Sequence, residues 1–253
     1  MKNPIRAKLL SRERTLGSWM QIGHPAIAEI LGHLDFDWIG IDCEHTDISL
    51  ADVAGICRGL YGRNAIPLVR VRENDTLAIR QPLDVGAYGV IVPLVNSADE
   101  ARRAVAAARF PPAGIRGFAH FRGNEYGADF DEYARTANQE VCVVTMVESK
   151  ECVENIEEIV AVDGVDGVFV GPYDLSGSYG VPGQTQHDLV IRARERVLAA
   201  CAKAGKSAGL HIVTPVPEVV ETAVASGFTF VALGMDTVFL HDAGIRALTS
   251  ITT

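Results

Sequence analysis

The sequence has few of the features that mark membrane, secreted or nucleic-acid-binding proteins. None of its apolar runs approaches the roughly 18–20 residues that a membrane-spanning helix needs. The N-terminal segment MKNPIRAKLLSRERT is charged and lacks the apolar stretch of a signal peptide. Lys and Arg number 23 against 32 Asp and Glu, which gives a net charge of −9 with no basic cluster. We therefore expect neither a membrane nor a nucleic acid as a partner.

Cysteine is also sparse and shows no pattern. The sequence contains five cysteines, and no two of them form a CxxC pair. Disulfide frameworks and zinc sites depend on paired cysteine spacings. We therefore interpret Cys43, Cys57, Cys142, Cys152 and Cys201 as reduced thiols of a cytoplasmic protein.

Eight apolar, strand-like runs alternate with helical segments along the 253 residues. The strand-like runs are residues 17–22, 37–42, 66–71, 88–95, 141–147, 166–170, 207–212 and 228–233. Helical periodicity marks most of the segments between them, for example residues 25–34, 98–108, 152–160, 190–204 and 218–225. This alternation is typical of a parallel sheet.

Eight such units favour a closed barrel over an open sheet. Runs such as VIVPLV and DGVFV are almost wholly apolar, which indicates strands covered on both faces. A dinucleotide-binding sheet would show GxGxxG after its first strand, whereas this sequence has GSWMQIGHP there. We predict an α/β fold in which residues 1–253 form a single (β/α)8 TIM barrel domain. The one long irregular stretch, residues 110–140, would lie over the site or at an oligomer interface.

Polar residues stand at the ends of several apolar strands. In (β/α)8 enzymes the catalytic groups gather at the carboxyl ends of the strands, so these positions are the candidates for a site. They are Asp42, Cys43, Glu44 and His45 after the second strand, Arg70 and Arg72 with the third, Glu148 after the fifth, Asp174 after the sixth, His211 in the seventh and Asp236 after the eighth. Such charges are costly unless they are paired or bind an ion.

Glu148 and Asp174 follow successive strands, which places them side by side at the barrel rim. Adjacent carboxylates repel each other unless a cation separates them, and two carboxylates with open water positions suit Mg²⁺ or Mn²⁺, or less commonly Co²⁺. The alternative is that each carboxylate caps the helix that follows it. Gly171 and Pro172, just before Asp174, either bring backbone N–H groups close to a ligand or form a tight turn.

An arginine at the strand ends is a candidate clamp for a substrate carboxylate, because a guanidinium matches the geometry of a carboxylate. The third strand, IPLVRVR, carries both Arg70 and Arg72. Their side chains share strand parity, so periodicity does not choose between them. The alternative is a structural ion pair between Arg70 and Glu148 or Asp42.

His45 is a candidate general base, because imidazole titrates near neutral pH and this one stands beside Asp42 and Glu44. A structural role is the alternative. A nucleophile formed by Cys43 and His45 is a third interpretation, which we disfavour because no residue is evident that would orient the pair.

Six ordered motifs resemble the HpcH/HpaI aldolase family, which includes aldolases of 4-hydroxy-2-oxoheptanedioate and of 2-keto-3-deoxy sugar acids. The motifs are FDWIGIDCEH, PLVRV, LDVGAYGVIVPLVNSADEA, FPPAGIRG, VESKECVENIEEI and VDGVDGVFVGPYDLS, within residues 17–234. The resemblance implies a class II aldolase that needs a divalent metal ion and that joins pyruvate to an aldehyde or releases it. It also implies a homo-oligomer, typically a hexamer.

The same resemblance implies roles for individual residues. Glu148 and Asp174 would bind the metal ion, which the 2-oxo acid would chelate. Arg70 would hold the keto oxygen and stabilise the enolate, whose negative charge develops beside these positive groups. His45, oriented by Asp42, would handle protons. Because alternation separates these two residues, the chain would have to leave the strand at about residue 43.

Two further positions follow from the resemblance. Asp84, in the LDVGA motif, would cross a subunit boundary and approach the hydroxyl groups of the aldehyde. Members of the family carry Gln two residues before the metal-binding Glu, whereas this chain has Met146. This departure affects how the substrate is oriented.

Three hypotheses for the function follow. The leading one is reversible cleavage of a 4-hydroxy-2-oxo acid to pyruvate and an aldehyde. The second is a related lyase or synthase that uses an enolate with another partner, as in citrate-forming or decarboxylating enzymes. The third is a non-catalytic protein that binds 2-oxo acids. The presence of Asp42, His45, Arg70, Glu148 and Asp174 argues against the third.

Overall fold

The computed structural model describes residues 2–252, and its eight strands form a closed barrel in chain order. The strands are β1 (Thr15–Met20), β2 (Trp38–Asp42), β3 (Ile66–Arg70), β4 (Gly89–Val92), β5 (Cys142–Val147), β6 (Gly167–Val170), β7 (Ser207–Ile212) and β8 (Phe230–Met235). Each strand pairs in parallel with both of its neighbours, and β8 closes the ring against β1. The predicted (β/α)8 barrel is confirmed.

Helices connect the strands and surround the barrel. They are α1 (Pro4–Ser11), α2 (Pro25–Leu31), α3 (Leu50–Gly59), α4 (Thr76–Asp84), α5 (Ala98–Ala108), α6 (Phe130–Glu140), α7 (Lys150–Glu154), α8 (Ile156–Val160), α9 (Pro172–Ser178), α10 (Asp188–Ala204), α11 (Pro217–Ala225) and α12 (Asp236–Thr252), with a 3₁₀ helix at Arg122–Gly127. Ser49, Ser97 and Ser149 begin α3, α5 and α7, because each side chain accepts a hydrogen bond from a backbone N–H three residues on. Within residues 2–252, no helix is both long and apolar enough to span a bilayer.

Apolar side chains fill the barrel on both sides of its strands. Inside, Trp19, Trp38, Phe169 and Phe230 pack against one another, mostly edge to face. Outside, a larger cluster of aliphatic side chains joins the strands to the helices. The strand β4 is buried at every position, as the run VIVPLV predicts. The interior aromatic rings close the barrel below the ends of the strands and form the floor of the site.

Two of the predicted segments differ from the structure. Residues 152–160 were expected as one helix but form parts of α7 and α8, which meet at Asn155, whose side chain donates a hydrogen bond to the carbonyl of Asn96. The stretch 110–140, expected to be irregular, contains the 3₁₀ helix and α6. Only Tyr133 and Ala137 of α6 are buried, and most of its residues are polar, although its few apolar residues recur with helical spacing. This stretch does not line the pocket described below.

The prediction that residues 1–253 form a single domain stays a prediction, because Met1 and Thr253 lie outside the described residues.

Candidate active site

A pocket of about 220 Å³ opens at the carboxyl ends of the strands. Parallel strands in a barrel all end on the same face, so side chains that are distant in sequence meet there. Its lining includes Trp19, Asp42, His45, Arg70, Asp174 and His211. This is the region that the strand-end positions predict.

Arg70, the last residue of β3, is held by Asp42, its partner at the end of β2. Nε of Arg70 donates to Oδ1 of Asp42 at 3.0 Å, and Nη2 donates to Oδ2 at 2.7 Å. The guanidinium also lies 4.9 Å from the centre of the Trp19 ring. Burial raises the pKa of Asp42, but the hydrogen bonds and charge of Arg70 outweigh it, so this pKa falls below its ordinary value. Asp42 is therefore an anion that fixes the guanidinium in place.

Arg72 does not line the pocket. Its Nε donates to the Cys43 carbonyl and its Nη2 to the Ile48 carbonyl, each at 3.1 Å. These bonds tie down the turn that follows β2. Because β3 ends at Arg70, the strand alternation that made the two arginines equivalent stops before Arg72. The structure places Arg70 in the pocket and gives Arg72 a supporting contact.

His45 lines the pocket, but Asp42 does not hold its ring. The chain does leave β2 after Asp42, yet Oδ1 of Asp42 accepts from the backbone N–H of His45, at 3.2 Å. Nε2 of the imidazole lies 3.6 Å from Oε2 of Glu44, and the His45 side chain is 60% exposed. The expectation that Asp42 orients the imidazole is wrong in this structure, because Arg70 occupies both oxygens of Asp42. The carboxylate beside the ring belongs to Glu44.

The Cys43 thiol is packed among aliphatic side chains outside the strands. Burial, together with the charge of Asp42, raises the pKa of Cys43 to about 12. A thiol with so high a pKa supplies almost no thiolate near neutral pH, and the thiolate is the reactive form. The burial of Cys43 and its raised pKa both argue against a Cys43–His45 nucleophile.

Glu148 follows β5 and is buried, with 6% of its surface exposed. Its Oε1 accepts a hydrogen bond at 2.7 Å from the backbone N–H of Leu94, which has a left-handed φ of 51°. Such a conformation is strained for a non-glycine residue and clusters at functional sites. Burial raises the pKa of Glu148 to about 6, and the charges of Glu44 and Asp174 add to the rise. Glu148 does not cap the next helix, because Ser149 does so.

Asp174 lies in the first turn of α9 and is exposed. Gly171, rather than Asp174, is the residue that begins this helix, and no side-chain hydrogen bond caps it. Within residues 2–252, the Asp174 carboxylate makes no hydrogen bond or ion pair. A Cβ atom on Gly171 would lie 3.5 Å from Oε2 of Glu148, so glycine leaves space beside that oxygen. Neither Glu148 nor Asp174 therefore caps the helix that follows it, which was the alternative to metal binding.

The carboxylates beside the pocket suit a divalent cation. Burial is the main cause that raises the pKa of Glu44 and of Glu148, and the charge of Asp174 adds to both rises. The charge of Asp42 also raises the pKa of Glu44, and the charge of Glu44 also raises that of Glu148. Oε2 of Glu44 is buried and accepts no hydrogen bond, and Nε of Arg70 forms an ion pair with it at 3.4 Å. Among residues 2–252, no group of three or more His, Cys, Asp and Glu side chains forms a ready-made metal cluster. The donor set fits an ion such as Mg²⁺ that keeps water or substrate in most of its positions.

Comparison with known proteins identifies the family of this chain. The family model described as HpcH/HpaI aldolase/citrate lyase matches residues 15–243. The chain belongs to the HpcH/HpaI aldolase/citrate lyase family. The family resemblance stated from the sequence motifs is therefore confirmed.

Several HpcH/HpaI relatives align over nearly their whole length. A hydroxypyruvate/pyruvate aldolase of Roseobacter denitrificans is 37% identical over 243 residues, which cover 96% of this chain and 94% of the relative. A 4-hydroxy-2-oxovalerate aldolase of Rhodococcus jostii is 40% identical over 246 residues, covering 94% and 92%. A solved family member from Burkholderia cenocepacia J2315 superposes with a TM-score of 0.95 at 33% identity and covers 100% of both chains.

Asp84 is not brought to the pocket of its own chain. It ends α4 and accepts a hydrogen bond at 2.8 Å from Nη2 of Arg116, a fully buried arginine. Nε of Arg80 lies 3.9 Å from its other oxygen. The expectation that Asp84 reaches a neighbouring subunit's site stays a prediction. Met146, at the position where the HpcH/HpaI motif has Gln, lines the pocket with a thioether in place of an amide.

Sequence reasoning gave no role to several side chains of the HpcH/HpaI pocket. Trp19 and Gln21 come from β1 and the residues after it, and Nε2 of Gln21 donates to Oδ2 of Asp42 at 3.3 Å. His211 was noted only as a strand-end residue. Strand parity was the available signal, because His211 shares the inward face of β7 with Gly209, whose Cβ would lie 2.4 Å from the ring of Phe169.

Proposed function

We propose that this chain is a metal-dependent aldolase that reversibly cleaves a 4-hydroxy-2-oxo acid to pyruvate and an aldehyde. The observation that carries the proposal is a pocket lined by a fixed guanidinium, Arg70, an exposed imidazole, His45, and the Asp174 carboxylate. The buried Glu148 carboxylate lies beside this pocket, where the charges of Asp174 and Arg70 act on it. The relatives that are 37–40% identical are named as aldolases, and several of the names specify a 4-hydroxy-2-oxo acid or pyruvate. These names support the substrate class.

Glu148 and Asp174 would hold the divalent cation, with Mg²⁺ or Mn²⁺ as the expected ion and Co²⁺ as a substitute. When bound, the ion supplies positive charge that polarises the keto group and lowers the energy of the enolate. Gly171 keeps the space beside Glu148 open for it. The backbone N–H of Leu94, a residue with a left-handed φ, donates a hydrogen bond to Oε1 of Glu148. Oε2 of Glu148 therefore remains available for the ion.

Arg70 would bind the 2-oxo acid through the part of its guanidinium that Asp42 leaves free. Nε and Nη2 are engaged by Asp42, while Nη1 makes no hydrogen bond within residues 2–252. A substrate carboxylate or keto oxygen can accept from this free nitrogen. Because Asp42 and the Trp19 ring already orient the guanidinium, little ordering is needed when charge develops on the substrate. Gly171 and Pro172 would close the same end of the pocket.

His45 would act as the base. In the cleavage direction it removes the proton of the C4 hydroxyl, the C3–C4 bond breaks, and its electron pair passes into the enolate of pyruvate while the aldehyde departs. Protonation of C3 then completes pyruvate. Glu44, 3.6 Å from Nε2, would stabilise the protonated imidazole in the role that the sequence suggested for Asp42.

A citrate-forming reaction is the second candidate. A solved citrate synthase superposes on this chain with a TM-score of 0.87 at 27% identity. It would use the same enolate chemistry with a different partner. The higher identity to aldolases favours aldehyde release over citrate formation.

The proposal also includes a homo-oligomer, a hexamer by the family resemblance, in which Asp84 would approach a neighbour's pocket. Light scattering of the purified protein tests that assembly.

Release of pyruvate from 4-hydroxy-2-oxopentanoate tests the proposed activity. Pyruvate is followed by its reduction with lactate dehydrogenase and NADH. We expect turnover with Mg²⁺ or Mn²⁺, loss of turnover with EDTA, and recovery when the ion is returned in excess. Asp174→Asn should lose turnover under all three conditions, because it removes one of the two anionic ligands. Full activity in EDTA, or in Asp174→Asn at low metal concentration, would contradict the proposed site.

A further inference from the structure

His211 is a pocket side chain that the proposed mechanism does not use. It lies on the inward face of β7, one layer above Gly209, and its ring centre is 6.2 Å from that of Trp19. The ring is partly exposed and lines the pocket together with Val213 and Met235. This is the β7–β8 side of the pocket, whereas Glu148 and Asp174 come from β5 and β6.

The hydrogen bonding of His211 fixes the position of its ring proton. Nε2 lies 3.0 Å from the carbonyl oxygen of Gly234, and a carbonyl can only accept. Nε2 must therefore carry the hydrogen. Burial lowers the pKa of His211 to about 4, and the charge of Arg70 adds to this effect. The ring is neutral near pH 7, so Nδ1 has a lone pair and no hydrogen.

Nδ1 of His211 is an acceptor without a donor. Within residues 2–252 it makes no hydrogen bond. It is also not fully buried, so a ligand in the pocket can reach it. Gln21, another polar side chain of the pocket, donates to Asp42 and accepts from the Thr237 hydroxyl, and it makes no hydrogen bond to His211. The open nitrogen is suited to accept a hydrogen bond from a donor that enters with the substrate.

We propose that His211 is a specificity residue whose Nδ1 accepts a hydrogen bond from a hydroxyl group on the aldehyde portion of the substrate. The inference rests on the proposed function, which assigns Arg70, Glu148 and Asp174 to the pyruvate portion and leaves the β7–β8 side for the aldehyde. It names the substrate class as hydroxyaldehydes, and the matching 4-hydroxy-2-oxo acids carry a further hydroxyl. Trp19, Val213 and Met235 supply apolar walls around this polar contact.

The test compares two aldehydes that differ by one hydroxyl group, propanal and 2-hydroxypropanal, in the synthesis direction with pyruvate. The measured quantity is the ratio of their kcat/KM values. His211→Leu should lower the preference for the hydroxylated aldehyde by about threefold to tenfold, the range expected for one neutral hydrogen bond. His211→Gln should stay within about twofold of the wild type, because an amide can donate to Gly234 and still present an oxygen. His33→Leu makes the same change at an exposed histidine outside the pocket and should leave the ratio unaltered.

The outcomes separate this inference from the proposed function. An unchanged ratio in His211→Leu would overturn the inference, as would a ratio that falls equally in His211→Gln. If His211→Leu does not fold, as judged by circular dichroism, His211→Met supplies the apolar side chain for the same comparison. Failure of the wild type to exchange the methyl protons of pyruvate with solvent would refute the proposed function instead.

Discussion

Removing the charge of Glu148 should stabilise the protein when no metal ion is present. This carboxylate is buried, and only one of its oxygens accepts a hydrogen bond, from Leu94. The nearby charges of Glu44 and Asp174 oppose its ionisation further. Glu148→Gln keeps the size of the side chain and an oxygen for the Leu94 N–H. It removes only the ionisation that burial and the neighbouring carboxylates disfavour.

The size of the effect follows from the pKa. Burial raises the pKa of Glu148 from 4.5 to about 6. A carboxyl whose pKa is higher in the folded protein favours folding fully below about pH 4.5, and this contribution is lost as the pH rises through about 6. A rise of about 1.5 pKa units corresponds to about 2 kcal/mol of unfolding free energy at pH 7.5. For a chain of this length, that is a change in Tm of about 4 °C.

Thermal unfolding after removal of metal ions measures this prediction. At pH 7.5, Glu148→Gln should melt about 4 °C above the wild type, and the two proteins should converge near pH 4.5. Excess Mg²⁺ or Mn²⁺ should reverse the order, because the wild type binds the ion more tightly and gains stability by mass action. Glu221→Gln, the same change at an exposed position on α11, should show no such pattern. A metal-free Glu148→Gln that melts below the wild type at pH 7.5 would refute the reasoning.

Further predictions concern the side chains that face the substrate. Arg70→Lys should lower kcat/KM for cleavage by about 10²-fold or more. Lysine keeps the positive charge but cannot make the paired hydrogen bonds to Asp42 that orient the guanidinium. Arg72→Lys is the matched control and should change kcat/KM by less than about threefold. A larger loss in Arg72→Lys than in Arg70→Lys would identify Arg72 as the arginine that binds the substrate. His45→Ala should lower kcat by roughly 10²–10⁴-fold, and Glu44→Gln by less, since Glu44 only stabilises the ring. Equal rates in His45→Ala and the wild type would remove His45 from the mechanism.

The barrel could be predicted from the sequence because its strands are apolar on both faces and its helices are not. The segments that were misjudged depend on contacts with distant residues. The break between α7 and α8 reflects the bond from Asn155 to the carbonyl of Asn96. The helix α6 is held partly by Asn138, whose side chain bonds to both backbone groups of Phe110. Neither contact leaves a periodic signal in the sequence.

The location of the site could be predicted from the strand ends, but the orientation of its side chains could not. Position brought Arg70, Arg72, Glu148 and Asp174 forward as candidates, because parallel strands bring their carboxyl ends together. The family resemblance, and not position, chose Arg70 over Arg72 and implied that the two carboxylates bind a metal ion. The orientation of His45 could not be read in this way. Asp42 can serve either Arg70 or the imidazole, and the register that sets β2 beside β3 decides in favour of Arg70. The tautomer of His211 likewise depends on the carbonyl of Gly234, a contact between β7 and β8.

Exchange of the methyl protons of pyruvate with D2O tests the central claim most directly, because it requires only enolate formation in this pocket and no aldehyde. Proton NMR of pyruvate should show loss of the methyl signal with the wild type and Mg²⁺ or Mn²⁺, and no loss in EDTA. Asp174→Asn should be inactive in both conditions, and His45→Ala should be slower by roughly 10²–10⁴-fold. The absence of exchange in the metal-loaded wild type, with pyruvate shown to bind, would contradict the account and favour a protein that binds 2-oxo acids without catalysis.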